Sequence, residues 1–208
     1  MFKTVLTTVL LAFSLNSCDQ GIQKYDTLVD KDEACNEAWA GIDATLQRRA
    51  DMIPQLVAVV KGSAAHEENT LTAVIQARAN ATRPEIKLDP KSDDFTDPAK
   101  MAAFQAAQGQ LSQALGRLMV TQEAYPTLQA NSAFHDLQIE VEGTENRILR
   151  ARETYNGAAR DFNTELRHVS GKVLNPLTGH EFKPRVYFTA DADAKVAPKI
   201  DFSNATTK

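Results

Sequence analysis

Between Trp39 and Val60 the seam residues alternate in steps of three and four: Trp39, Ile42, Leu46, Arg49, Ile53, Leu56 and Val60. This spacing sets all seven on one stripe of an α-helix and scatters them over both faces of a strand. Cys35 and Leu28 extend the stripe upstream. The pattern predicts one helix from about Asp26 to Lys61, roughly 50 Å long at 1.5 Å per residue. Such a length exceeds that of an ordinary globular helix, so the stripe needs long helical partners.

Those partners are legible downstream. Gly62 and Ser63 mark a joint. A second helix is expected from about Ala64 to Asn80, with Leu71, Val74, Ile75 and Arg78 on its inner side. The stretch from Thr82 to Pro98 holds three prolines and four aspartates and reads as a long polar surface loop. It lacks the glycine turn and ligand spacing of an EF-hand, so calcium is not predicted. Asp97 followed by Pro98 gives an N-cap and a proline at the first helical position. The third helix then carries Met101, Phe104, Gln108, Leu111, Leu115, Leu118, Gln122 and Tyr125, and Pro126 stops it. Asn131 caps the longest helix. Its seam is Phe134, Leu137, Val141, Thr144, Ile148, Ala151, Tyr155, Ala158 and Phe162, and Gly171 ends it.

The fold class is therefore all-α: an antiparallel four-helix bundle of long helices over residues 26–170, followed by an irregular C-terminal extension over 171–208. Alanine-rich, aromatic-poor composition agrees with helix over sheet. In the extension, Arg185 to Thr189 alternate like one short strand, and the last six residues read as disordered. The formal net charge of -4 argues against a nucleic-acid partner.

The N-terminus has another character. Lys3 is the only charge before Asp19, and Val5 to Leu15 is apolar. This run is too short to span a bilayer, which takes about 20 residues, but it suits the apolar region of a signal peptide. Leu15, Asn16, Ser17 and Cys18 then resemble a bacterial lipobox. Residues 1–17 are read as a lipoprotein signal peptide, Cys18 as the lipidated first residue of the mature chain, and residues 18–25 as a linker. Asp19 resembles the signal that keeps a lipoprotein in the inner membrane of a two-membrane cell.

Two places could carry chemistry or bind a partner. Pro54 lies inside the first helix, where it leaves the carbonyl of Ala50 without its usual donor and should kink the chain. Arg49, one turn earlier on the apolar stripe, needs acceptors if buried. Either these groups bond to a neighbouring helix, or they form a strained groove for a partner. In the last helix Tyr155 and Phe162 are seven apart, as are Asn156 and Asn163. Two turns of helix put the aromatics on one line and the amides on the next. The amides are expected to bond across to other helices and fix their register, with Arg150, Arg152 and Arg160 pairing to acids across the bundle. A di-metal site needs two inward Glu-x-x-His pairs and two more glutamates, and only Glu165 with His168 fits. No catalytic residue, metal site or cofactor is predicted. Cys35 reads as a small core residue.

Several stretches together resemble the LemA family of bacterial membrane-associated proteins: YDTLV at Tyr25–Val29, AWAGIDATLQRRADMIPQLV at Ala38–Val57, KGSAAHE at Lys61–Glu67, and the run from Glu123 to Asn163. Arg49, Ile53, Pro54 and Leu56, and Tyr155, Asn156 and Asn163, carry the most specific part. The resemblance implies a long-helix bundle held at a membrane by its N-terminus. It implies no established molecular activity, and the family's gene neighbours hint at an adaptor role. The chain departs from the family in its lipoprotein-like start and in HVSGKVLNPLTGHEF, which stands where a phenylalanine-proline usually follows the last helix.

The reading is a lipid-anchored envelope protein, non-enzymatic, serving as scaffold or adaptor. It would be held at the cell membrane through Cys18, with its domain on the periplasmic or extracellular side and an envelope protein as partner. The alternatives are an enzyme with a metal or hydrolytic centre in the bundle, and self-association through leftover heptad surface.

Overall fold

The computed structural model describes residues 2–63, 68–90, 92–168 and 181–189, the side chains of residues 2–22, Ser63, Thr121 and Gln122 excepted. The side chain of Cys18, the His66–Glu67 pair, Gly171 and most of the C-terminal extension lie outside the described residues.

The chain is all-helical, with no strand among the described residues. Helix α1 spans Phe2–Ser63, α2 Glu68–Ala81, α3 Pro98–Thr121, α4 Pro126–Gln129 and α5 Ser132–Arg167. Residues 18–25, expected as a linker, are continuous helix with the rest of α1, which also runs unbroken through Pro54. No helix among the described residues is long and apolar enough to cross a membrane.

Helix α1 lies along α5 in the opposite direction: Lys24 pairs with Glu165 near one end and Arg48 with Glu140 towards the other. Helix α2 packs on α3. All seven residues of the α1 stripe are buried. On α5 the seam slips at one position. Tyr155 and Phe162 are buried, but Ala159 replaces Ala158 between them. Ala158 stays half-buried against the same cluster, and Phe134, Val141, Ile148, Tyr155 and Phe162 keep their seven-residue spacing in the core. On α2 the inner side is Leu71, Val74, Ala77 and Ala81, while Ile75 faces outward.

The connections are more ordered than their composition suggests. After α3 a 3-10 turn, Gln122–Ala124, tightens the chain ahead of Pro126. The PTLQ that follows forms the single turn α4 and buries Leu128. The Asn131 side chain accepts from the N–H groups of Ala133 and Phe134 at 3.0 and 3.4 Å, capping α5.

The proline-rich loop is not merely polar surface. It forms a 3-10 turn, Asp93–Thr96, that drives Phe95 into the core against Trp39, ring centroids 4.7 Å apart. Asp94 pins the turn. It accepts from the Asp89 N–H at 3.0 Å and pairs with Lys100. These contacts favour the carboxylate and lower its pKa from 3.8 to about 2, the backbone N–H contributing most. The bond to Asp94 likewise raises the pKa of Lys100.

Asp94 should therefore stabilise the fold above about pH 4 and lose that effect as the pH falls towards 2. Urea unfolding of wild type and Asp94→Asn should show a constant gap at neutral pH that narrows across this acid range. A gap independent of pH would remove the carboxylate from the account.

Candidate functional site

Two apolar clusters fill the molecule. One contains Ile53, Leu56, Leu71, Leu115 and Phe134; the other contains Trp39, Met101, Phe104, Tyr155 and Phe162. Arg49, Gln108 and Glu145 each fall between members of the two clusters on their own helix. Together with Ser112 they form a polar layer. Arg49 is 1% exposed. Its guanidinium donates to Glu145 at 2.8 Å, to Ser112 at 2.9 Å and to the Gln108 side-chain carbonyl. The Gln108 amide donates in turn to the carbonyl of Ala81, the last residue of α2, at 3.1 Å. One arginine thus connects all four long helices. A buried charge is costly unless paired and hydrogen-bonded, and here it is both.

Removing only the acceptor should be worse than removing the pair. Glu145→Leu should lower the unfolding free energy by about 3 kcal/mol, because a guanidinium stays in the dry layer. Arg49→Leu combined with Glu145→Leu should cost less than the single change. Urea titration of the three chains decides it, and an additive double variant would count against the layer.

Pro54 lies one turn further along α1. It leaves the Ala50 carbonyl free, and Arg78 of α2 supplies the missing donor at 2.7 Å. The group that closes the gap thus comes from a different helix. Arg78→Met should destabilise by about 1–3 kcal/mol in the native background, by orphaning that carbonyl. In a Pro54→Ala background residue 54 has its own N–H, so the same change should cost markedly less. A double-mutant cycle measures the difference, and equal costs in both backgrounds would refute the pairing.

Tyr155, Asn156, Phe162 and Asn163 belong to a second place, on the lower half of α5. The amides do not reach across to other helices. They hold the backbone of residues 181–189. Asn163 donates to the Arg185 carbonyl at 2.8 Å and accepts from the Arg185 N–H at 2.8 Å. Asn156 does the same to Phe188, at 2.9 and 2.8 Å. The match is geometric. Seven helical residues rise about 10.5 Å, and three extended residues at about 3.1–3.4 Å each cover nearly the same distance. Phe182, Arg185 and Phe188 are buried, every third residue, so the segment is not the alternating strand expected.

The Arg185 side chain crosses to α1. It donates twice to Asp32, at 3.0 and 2.8 Å, and once to Asn36 at 2.8 Å. It also lies 5.4 Å from the Phe95 ring centroid and 5.9 Å from that of Phe162. Phe188 packs edge-on to Tyr155 at 5.4 Å and stacks on Trp39 at 6.2 Å. Burial pushes the Tyr155 hydroxyl well above its usual range and the Cys35 thiol up to about 11, with Arg185 opposing both. A thiol so raised stays protonated and is a poor nucleophile.

Of the other arginines near the amides, Arg160 and Arg150 find partners on their own helix and not across the bundle. Arg160 meets its neighbour Asp161, Arg150 reaches back to the Asn146 carbonyl, and Arg152 lies over the Phe188 ring at 5.3 Å. Glu165 contacts Lys24 at 3.7 Å and His168 at 3.3 Å, at the end of α5. No group of three or more metal-ligating side chains occurs among the described residues. Arg185, Gln108, Arg78 and Phe95 complete the two places, and sequence reasoning gave none of them a part in either. Phe95, a lone aromatic in a polar loop, carries a local signal, as do Arg78 and Gln108, polar residues on the inner faces of their helices.

The profile of the LemA family matches residues 38–202. The chain belongs to the LemA family. Relatives include two magnetosome proteins of Paramagnetospirillum magneticum, MamQ 1 and MamQ 2, each 27% identical over 179 residues. Magnetosome protein MamQ of Magnetospirillum gryphiswaldense is 25% identical over the same length. Each alignment covers 80% of this chain and 65% of the relative, so the chain spans a little under two thirds of their length. The LemA match takes in the Arg49 layer, Pro54, both asparagines and the 181–189 segment, whereas Cys18 precedes it.

Proposed function

We propose that this LemA protein is a lipid-anchored, non-enzymatic scaffold or adaptor at the cell envelope, built as an antiparallel bundle of α1, α2, α3 and α5. Residues 1–17 would be removed and Cys18 lipidated. The domain would stand on the periplasmic or extracellular side, at the inner membrane of a two-membrane cell, with an envelope protein as its partner. Two or three acyl chains, at about 0.8 kcal/mol per buried CH₂, suffice for a stable anchor.

The observation that carries this reading is the continuity of α1. Seven residues of helix, about 10 Å, separate Cys18 from Tyr25. Packing has begun by Tyr25, whose ring lies 5.9 Å from that of Phe182. A lipid at Cys18 would thus hold the bundle close to the bilayer on a stiff stem. The buried polar groups point the same way. Arg49, Asn156, Asn163 and Arg185 are engaged in holding helices and tail together, which suits a rigid body better than a reacting centre. The relatives, too, are named for the structure they belong to and not for a reaction.

Cys18→Ala should move the protein from the membrane fraction to the soluble fraction with its helical circular dichroism unchanged. An inhibitor of lipoprotein signal peptidase should block maturation of the wild type. Continued membrane retention of the variant would overturn the lipid anchor.

A further inference from the structure

The groove that holds residues 181–189 recognises its occupant much as a peptide-binding site does. Two asparagine side chains bond to the backbone, which any extended segment offers. Selectivity comes from three buried side chains at intervals of three. Phe182 sits between Tyr25 and Phe162, Arg185 on Asp32 and Asn36, and Phe188 between Trp39 and Tyr155. Further contacts lie along the backbone and rim: the Val186 N–H donates to the Phe95 carbonyl at 2.7 Å, Lys183 pairs with Asp93 at 2.7 Å, the Asn163 amide donates to the Tyr187 hydroxyl at 3.0 Å, and the Gln105 side-chain carbonyl accepts from the Thr189 N–H at 3.0 Å. Nothing covalent near the groove ties the segment to it. Thirteen peptide steps separate His168 from Glu181, a contour of at most roughly 45 Å, which is long enough for the segment to reach a neighbouring copy's groove with α5 intact.

We infer that the groove between α1 and α5 is a docking site for an extended Phe-x-x-Arg-x-x-Phe segment, and that residues 181–189 of a second copy of this chain are its occupant in trans. The exchanged pair makes the same contacts as the closed monomer, so no new surface has to be complementary. The balance between the two forms is then set by concentration against the effective concentration of the chain's own segment. The arginine pocket makes the site selective, since lysine cannot reproduce the two-nitrogen grip on Asp32. The inference does not rest on the lipid anchor or the adaptor role, because exchange belongs to the chain in solution.

Complementation tests it with full-length chains. One variant, Arg185→Glu with Phe188→Ala, keeps the groove and spoils the segment. The other, Asn156→Ala with Asn163→Ala, spoils the groove and keeps the segment. Each alone should run at monomer mass in light scattering. An equimolar mixture, incubated at high concentration, should yield a species of twice that mass containing both chains equally. A mixture that stays monomeric while both variants keep their helical signal overturns the inference. Should either double variant lose that signal, the milder Arg185→Lys and Asn163→Ala replace them, and the same mass measurement decides. As a second readout, a labelled peptide of residues 181–189 should bind the segment-spoiled chain saturably. Its Arg185→Lys form should bind about tenfold more weakly, the loss of one charge-assisted hydrogen bond. Peptide binding without mixed dimers would leave a peptide groove but overturn exchange between copies.

Discussion

The Arg49 guanidinium is the constraint on which the bundle depends. Apolar stripes alone specify that helices pack, not which layers face each other, because one leucine on a seam replaces another at little cost. A buried cation accepts no such slippage. Moving α3 or α5 by one turn against α1 would take Gln108, Ser112 or Glu145 out of reach and leave a buried charge without its partners. The layer is also where two separate cores meet, so each cluster can be packed for its own shape while the arginine holds both in one alignment. The neighbouring Ala50 carbonyl, opened by Pro54 and closed by Arg78, adds a second position-specific link between α1 and α2.

The lower half of the molecule solves a different problem. Part of its core comes from outside the long helices, in Leu88, Phe95, Phe182 and Phe188. Segments without regular structure bring unpaired backbone groups with them, and buried ones must find partners. The α5 asparagines provide these partners. An amide carries a donor and an acceptor side by side, as an extended residue does, so one asparagine satisfies both backbone groups of one residue. The i, i+7 spacing on the helix is what lets two of them hold one straight segment.

The sequence made the helical frame readable because its signals are local and periodic. The stripe from Trp39 to Val60, the Asn131 cap and the free carbonyl opposite Pro54 all follow from residues within a turn or two of each other. What closes these features was not readable, because it is distant in sequence: Arg78 for Ala50, Gln108 and Glu145 for Arg49, Arg185 for Asp32. The asparagine pair is visible as an anomaly on α5, but its partner is not, because the tail shows no helical period and its residues 185–189 read as an alternating strand. Its burial repeats every third residue, a rhythm that a search for periods of two or 3.6 passes over.

Trp39 is the single tryptophan of the chain. It lies in the lower core, stacked on Phe188 and edge-on to Phe95. Two of its aromatic neighbours therefore belong to the loop and the tail, and only the others to the helices. The protein thus carries an intrinsic optical probe at a spot where the loop and the tail together complete the core. Its emission will sense whether the tail is seated, while the far-ultraviolet dichroism, dominated by the helices, stays almost blind to that event.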